Sequence, residues 1–423
     1  MKNRILILLT ALLTISLVGI SCEDFVQEVE PTLDVVEPSV VESEGEVEFF
    51  ITGVVGRYFR VHDNAVVLAE GLADALEFRG GSADGPVTDA TFPTFFDLDI
   101  GDLTFDNNSV DGVFDELGRA RFLADSLVGV AANIDFTDSE LEQRAIFTAN
   151  FYGGLTRYLY AVYFGLSENR GGGVIDNSAF IPSDEMFALA LDKLRTAAAN
   201  APTDEDARIA NTMIGKIQLI RGNLNDALTA LQNGMQPGDQ FIAQYSQEDQ
   251  NAFHNQAGRG RNQLTIADRF AEFVQNEPTE ANRLQFEQLP ASELSDEDAV
   301  VYRQTRYGDP TANIDILSWQ ENHLMLAELN VRGLATTQDA VTLINEVRNS
   351  HVDDDGNPMV NITGPVDLDF IELERDKELY MEGNRLIDQR RFGTFHLGAN
   401  AWRFLPITQS ERNNNPNLDD TQG

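Results

Sequence analysis

The sequence predicts a mainly α-helical protein, built as a scaffold of tetratricopeptide-like helix hairpins with a loop-rich inserted lobe and little sheet. Three observations predict it. Apolar residues recur at alternating spacings of four and three, as on one face of a helix. Two helix–glycine–helix hairpins carry small residues at matching places. Period-two alternation is confined to short candidates, so strands should be few. The 423 residues leave room for two or three lobes, and 42% hydrophobic side chains suffice for a large core.

The chain opens on an address. Lys2 and Arg4 precede an apolar run from Ile5 to Val18, followed by Gly19 and Ser21, which is the grammar of a signal peptide over residues 1–21. Such a run is too short for a spanning helix, which needs roughly 20 apolar residues. Gly19-Ile20-Ser21-Cys22 resembles a bacterial lipobox, in which Cys22 is diacylated and becomes the mature N-terminus. A soluble exported protein whose lone cysteine happens to sit there is the alternative. Glu23 and Asp24 resemble the acidic signal that directs lipoproteins of the Bacteroidetes group to the cell surface. Residues 22–48 then hold ten acidic side chains between Glu23 and Glu48 with no Lys or Arg, and Pro31 and Pro38 interrupt any helix. This predicts a lipidated, self-repelling tether that can reach on the order of 85 Å.

Residues 49–423 form the expected body. Leu141, Ala145, Thr148, Tyr152, Leu155, Leu159 and Val162 make one helical stripe. Phe187, Ala190, Leu191, Leu194, Ala197 and Ala198 make the next, with Ser183 as its expected N-cap and Pro202 beyond its end. Ile209–Ile220, the Gly222-Asn223 turn and Ala227, Leu228 and Leu231 read as a hairpin. Ala327, Gly333, Ala340 and Ile344 repeat the arrangement with a longer turn, so the array is not a regular tandem one. Two polar excursions interrupt the scaffold at 80–109 and 236–310, and long loops in a compact chain are usually functional. Glu374, Arg375, Glu378, Glu382, Arg385 and Asp388 fall three or four apart, which predicts a ladder of ion pairs along one helix.

Composition excludes several functions. With 69 acidic against 30 basic residues the net charge is −39, so nucleic acid would be repelled. Only Lys2, Lys193, Lys216 and Lys377 are lysines, and an acid-rich, lysine-poor surface suits a salty habitat. The five histidines are scattered, and no zinc spacing, nucleophile elbow or phosphate loop occurs, so neither metal nor cofactor is expected. His351–Asn357 invites a calcium reading, but its glycine sits too early and no glutamate follows at the required place, which favours a solvated acidic turn. A hydrolase built on two carboxylates stays open, because 69 acids make pairs inevitable. Recognition remains. Sugars present C–H faces to flat rings and hydroxyls to amides, carboxylates and Arg. The candidate ligand residues are Phe92, Phe95 and Phe96 in the first excursion, and Tyr245, His254, Tyr302, Arg303 and Tyr307 in the second.

Four stretches together resemble the SusD/RagB family of bacterial outer-membrane lipoproteins. They are Cys22-Glu23-Asp24-Phe25; Phe180-Ile181-Pro182-Ser183 leading to Ala201-Pro202; Leu326-Ala327-Glu328, Gly333, Ala340 and Ile344–Arg348; and Leu373–Leu379 with Glu382–Arg385, Asp388, Arg390-Arg391, Leu405-Pro406-Ile407 and Asn415–Leu418. Thr408 stands where a second Pro is common. The resemblance implies a SusD-like fold and a surface-exposed, non-catalytic lipoprotein anchored in the outer membrane. It would capture an oligosaccharide, or a peptide, as the lid of a SusC-type TonB-dependent transporter. A helical-repeat envelope scaffold that binds no nutrient and a surface glycan hydrolase are the rival readings.

Overall fold

The computed structural model describes residues 41, 43–80 and 85–418; the signal segment, Cys22 and most of the expected tether lie outside them. Two long helices for which the stripes make no prediction lead the body. Helix α1 (Glu44–Leu72) starts where Glu46 Oε2 accepts the Ser43 backbone N–H at 3.0 Å, and acidic residues in its first turn suit the helix dipole. The expected tether boundary at Glu48 is therefore too late, because Val47, Phe50, Val54 and Tyr58 already bury one face of α1. After strand β1 (Leu76–Glu77), helix α2 (Pro93–Asp99) lies within the first excursion. Helix α3 (Asn108–Asn133) follows, with Asn107 Oδ1 accepting the amides of Ser109 and Val110.

Helix α4 (Ser139–Tyr163) is the centre of the molecule and packs against α1, α3 and α5 (Ser183–Ala199). Its predicted stripe is buried throughout. Gly154 permits the approach of α5, since a Cβ there would stand 2.7 Å from Leu194 Cγ. Between α4 and α5 run β2 (Phe164–Ser167), β3 (Arg170–Gly173) and β4 (Ile181–Pro182). Ser183 does not cap α5. Its Oγ donates to Ala161 O at 2.7 Å, which ties α5 to α4 instead.

The first hairpin is α6 (Asp204–Ile220) and α7 (Leu224–Leu231), turning at Gly222 with φ +76°. The second excursion then supplies β5 (Gln240–Ala243), α8 (Ala252–Ala257), β6 (Arg261–Asn262), β7 (Thr265–Ile266), α9 (Asp268–Asn276), β8 (Phe286–Gln288) and β9 (Tyr302–Gln304). Strand β10 (Ile314–Ser318) pairs antiparallel with β5 and leads into the second hairpin, α10 (Trp319–Val331) and α11 (Ala340–Ser350), where Gly333 has φ +88°. Ala227, Leu231, Ala340 and Ile344 are buried, as the hairpin reading expects.

The last predicted helix is broken in two, α12 (Leu368–Glu378) and α13 (Arg385–Phe392), with Met381 and Gly383 at φ +63° and +78°. Tertiary contact forces the break. The Gly383 N–H donates to Glu70 Oε1 of α1 at 2.6 Å and its carbonyl accepts from Tyr163 Oη at 2.9 Å, so the chain must bend to reach both. Strand β11 (Leu405–Pro406) and helix α14 (Gln409–Asn414) finish the described chain. The sheets are small, with orders β1-β7-β9-β8, β10-β5 and β11-β2-β3-β4.

Candidate functional site

The two excursions fold onto one another as a single lobe. β1 of the first pairs antiparallel with β7 of the second, matching Leu76 with Ile266. The fully buried Gln263 completes the union. Its Oε1 accepts the backbone N–H groups of Thr91 at 3.1 Å and Phe92 at 2.9 Å, while its Nε2 donates to Asp89 O at 2.6 Å. The lobe is also pinned to the scaffold. The Ala252 N–H donates to Asp63 Oδ2 of α1 at 2.7 Å, and Tyr245 Oη donates to Phe59 O at 3.0 Å. Burial pushes the Asp63 carboxyl up to about 7, despite the backbone amides it accepts from.

Phe92 sits at the mouth of this junction. It precedes Pro93, which starts α2 with its φ already set, and its ring keeps 38% of its surface exposed. The Arg261 guanidinium lies 4.7 Å from the ring centroid and Phe95 lies beneath, with centroids 6.4 Å apart and planes 21° from parallel. The ring lines a cleft of about 360 Å³ between α1, α2, α3 and α8. Its polar lining consists of Asn64, Thr94, Asn108, Ser109 and Gln256, all uncharged, with Val67, Leu68, Pro93 and Val113 between them. Gln256 Oε1 is buried and accepts no hydrogen bond from the protein, so the amide is a polar group of the cleft wall left without a partner. An aromatic face, amides and hydroxyls without a formal charge suit a neutral polyhydroxyl ligand.

Of the sequence-derived candidates, the structure brings Phe92 and Phe95 to this cleft and leaves the others apart. Phe95 is only 4% exposed and acts as the floor. Phe96 packs edge-on against Phe78 with centroids 5.8 Å apart. His254 Nδ1 donates to Gly308 O at 2.8 Å, on the helix that carries Gln256. Tyr245 is consumed by its bond to α1, and Tyr302 packs edge-on against Phe286. Two placements correct the expectation of ligand contact. Arg303 is buried between Glu287 at 2.7 Å and Glu293 at 2.8 Å, and Tyr307 is 2% exposed against Phe253 and Arg306. Both bind the lobe internally, because their partners arrive from strands and loops that residue type alone does not reveal. Asn64, Asn108, Ser109, Gln256 and Arg261 went unread, since isolated amides and hydroxyls give no periodic or compositional signal.

The other expected features fall outside the cleft. Asp353 Oδ1 accepts the amides of Asp355 and Asn357 at 3.0 and 2.8 Å, closing the acidic turn on itself. Among the described residues no cluster of His, Cys, Asp or Glu is arranged to hold a metal, and no helix is long and apolar enough to cross a membrane. The predicted ion-pair ladder is a buried network rather than an exposed one. Arg283 Nε meets Glu280 at 2.8 Å and its Nη1 meets Glu374 at 2.8 Å and Glu378 at 3.0 Å. Arg375 Nε meets Asp388 at 2.7 Å.

Comparison with known proteins places this architecture. Neither a family model nor a curated protein matches the sequence. Solved structures do. A SusD superfamily protein from Bacteroides vulgatus superposes with a TM-score of 0.69 at 15% identity, covering 89% of this chain and 98% of that one. A laminarin-binding SusD-like protein gives 0.65 at 14% identity, and surface glycan-binding protein A from Bacteroides thetaiotaomicron, solved with laminarihexaose, gives 0.64 at 13%. Each covers 89% of this chain and 98% of its own. The chain therefore has a SusD-like fold.

Proposed function

We propose that this protein captures a neutral oligosaccharide at the Phe92 cleft, and that it does so as a lipoprotein anchored through Cys22 at the outer face of the outer membrane. The observation that carries the reading is the cleft itself: a partly exposed Phe92 with a guanidinium over its ring, and a lining of amides and hydroxyls in which Gln256 Oε1 has no protein partner. The fold supports it, since similar structures include a laminarin-binding protein and a surface glycan-binding protein. The reading is non-catalytic. Glycoside hydrolysis needs two carboxylates flanking the bond, and the described residues lining this cleft include no acid. The acidic leader after Cys22 would hold the body clear of the lipid, and the helical face would dock on a SusC-type TonB-dependent transporter for which the body serves as lid.

Two measurements test the reading. Calorimetric titration against a panel of neutral glucan, mannan and xylan oligosaccharides should find at least one ligand, with no reducing sugar released. A tagged pull-down from gently solubilised native membranes should recover a large TonB-dependent barrel in near-equal amount. Binding without the barrel would leave a glycan-capture lipoprotein with no transport role. A barrel without any ligand would favour a scaffold.

A further inference from the structure

The Phe92 cleft does not end at Val113. Asn64, Ser109 and Val113 also line a neighbouring cleft of about 270 Å³, together with Arg60, Val61, Gly112 and Glu116. Gly112 in turn lines a third and larger cleft of about 610 Å³. The three therefore follow one another along the first half of α3, and the Arg57–Glu116 ion pair, 2.7 Å long, bridges the second to the third. Thirteen residues separate Ser109 from Phe122, roughly 20 Å of helix, far more than one sugar ring spans.

The third cleft has its own platform. Phe122 is 50% exposed and lines it, the most open aromatic ring there. Opposite stand Asp176 and Asn177, consecutive residues at φ +49° and +57°, a left-handed turn that Asp and Asn tolerate better than most. This turn is held from three sides. Arg121 Nη1 donates to Asp176 Oδ2 at 3.0 Å, Asn415 Nδ2 to Ser178 O at 2.9 Å, and Asn417 Nδ2 to Asn177 O at 2.8 Å. Arg121 is itself 7% exposed, and its Nε has no partner in the protein. Several charges along the groove are paired, Arg57 with Glu116, Arg119 with Asp115 and Arg121 with Asp176, while Asp111 and Glu411 line the third cleft as further carboxylates. Paired charges offer donors and acceptors side by side without attracting a net-charged ligand.

Gly112 marks the junction. Glycine within a helix costs about 0.5–1 kcal/mol relative to Ala, and a Cβ at Gly112 would meet nothing within 4 Å, so the packing does not require it. Other helical glycines here are equally open, Gly53 and Gly129 among them, but Gly112 lies where these two clefts meet. We infer that the ligand is an extended oligosaccharide that runs from Phe92 past Gly112 to a second stacking platform at Phe122, over a bare backbone that admits it. This rests on the oligosaccharide reading above and adds to it a length and a direction.

The test is a chain-length series, from disaccharide to octasaccharide, of whichever glucan, mannan or xylan the panel identifies, titrated against the full chain and three variants. Affinity of the native protein should rise with length until the groove is filled. Phe122→Ala should weaken the long members roughly tenfold and leave the shortest unchanged. Gly112→Leu should do the same with an unchanged or higher melting temperature, because it fills the junction and removes a helical glycine. Phe92→Ala should weaken every member. Flat affinity with length, or long chains that bind Phe122→Ala as well as the native protein, would overturn the extension and leave the Phe92 site standing. If no member binds, both readings fall together.

Discussion

The Phe92 cleft and the charged seam behind it are built from opposite materials. The cleft is lined by uncharged side chains, with Phe92 partly exposed between Arg261 and Phe95 and a buried amide oxygen without a protein partner. The seam, where the second excursion meets α11 and α12, is a buried lattice of formal charges in which Arg283, 1% exposed at its side chain, touches Glu280, Glu374 and Glu378. Arg348 Nη1 meets Glu374 Oε2 at 3.2 Å and Lys377 Nζ meets Glu280 Oε1 at 2.8 Å. A second lattice continues through Lys216, Glu321, Arg375, Asp388, Arg391 and Glu328. The residues that carry the family resemblance most specifically, from Leu373 to Arg391, lie in these lattices and not at the cleft. The difference teaches that the motif records how the lobe is fastened to the scaffold, while the residues lining the cleft belong to no motif at all.

The largest expected effect comes from breaking the seam. Arg283→Ala leaves three buried carboxylates without their shared cation, and removal of one partner of a buried pair costs about 3–5 kcal/mol. A marked fall in the melting temperature should follow, with oligosaccharide affinity unchanged at temperatures where the variant is still folded. Loss of affinity in a fully folded variant would show that the seam shapes the cleft, and would erase the contrast.

A pair of aromatic substitutions sharpens the comparison. Tyr307 and Phe92 both lie in polar excursions, but Tyr307 is packed on Phe253 and bonded to Asp315 at 3.3 Å, whereas Phe92 is open. Tyr307→Ala should cost on the order of 3 kcal/mol of stability through the cavity it leaves. Phe92→Ala should weaken ligand binding about tenfold and leave the melting curve unmoved. Thermal denaturation alongside calorimetric titration reads both quantities. A drop in melting temperature for Phe92→Ala would make it a core residue and remove the platform.

What the sequence makes legible follows from how local each signal is. The α4 and α5 stripes and both hairpins are visible because their periodicity and turn glycines are written within a few residues of each other. The break at Met381 is not, since Glu70 and Tyr163 that impose it lie more than two hundred positions away. For the same reason Glu374 and Glu378 read as members of an ion-pair ladder along one helix, while their actual partners Arg283 and Arg348 come from outside it and bury them. At the cleft, residue type alone finds Phe92 but finds Tyr307 equally, and only burial separates the two. Gln256 and Asn64 carry no signal until α1 and α8 are brought together.

The smallest expected effect is a pH dependence that one region has and the other lacks. The side chains lining the Phe92 cleft include no acid, base or histidine. Affinity for a short oligosaccharide should therefore change by less than about twofold between pH 5 and pH 8. A larger change would point to Asp63, whose carboxyl is pushed up to about 7 and accepts from Asn64 and Ala252. The scaffold behaves otherwise. Burial pushes Glu70 from 4.5 up to about 8, only partly offset by the Gly383 amide it accepts from. Over that interval the folded chain holds a proton that the unfolded chain has released, so Glu70 makes stability fall as pH rises. Glu378 contributes with the opposite sign in a different window. Burial would raise it, but His351 and Arg283 outweigh burial and hold it at about 2, so its stabilisation is present above 4.5 and lost as pH falls toward 2. Glu70→Gln fixes the neutral form at nearly constant volume, and should partly flatten the decline of stability between pH 5 and pH 8, to which the raised Asp63, Asp99 and Glu382 also contribute, without touching affinity. Should affinity instead follow stability across that range, and flatten with it in Glu70→Gln, the bend at Gly383 would be coupled to the cleft through α1, and the two regions would act as one.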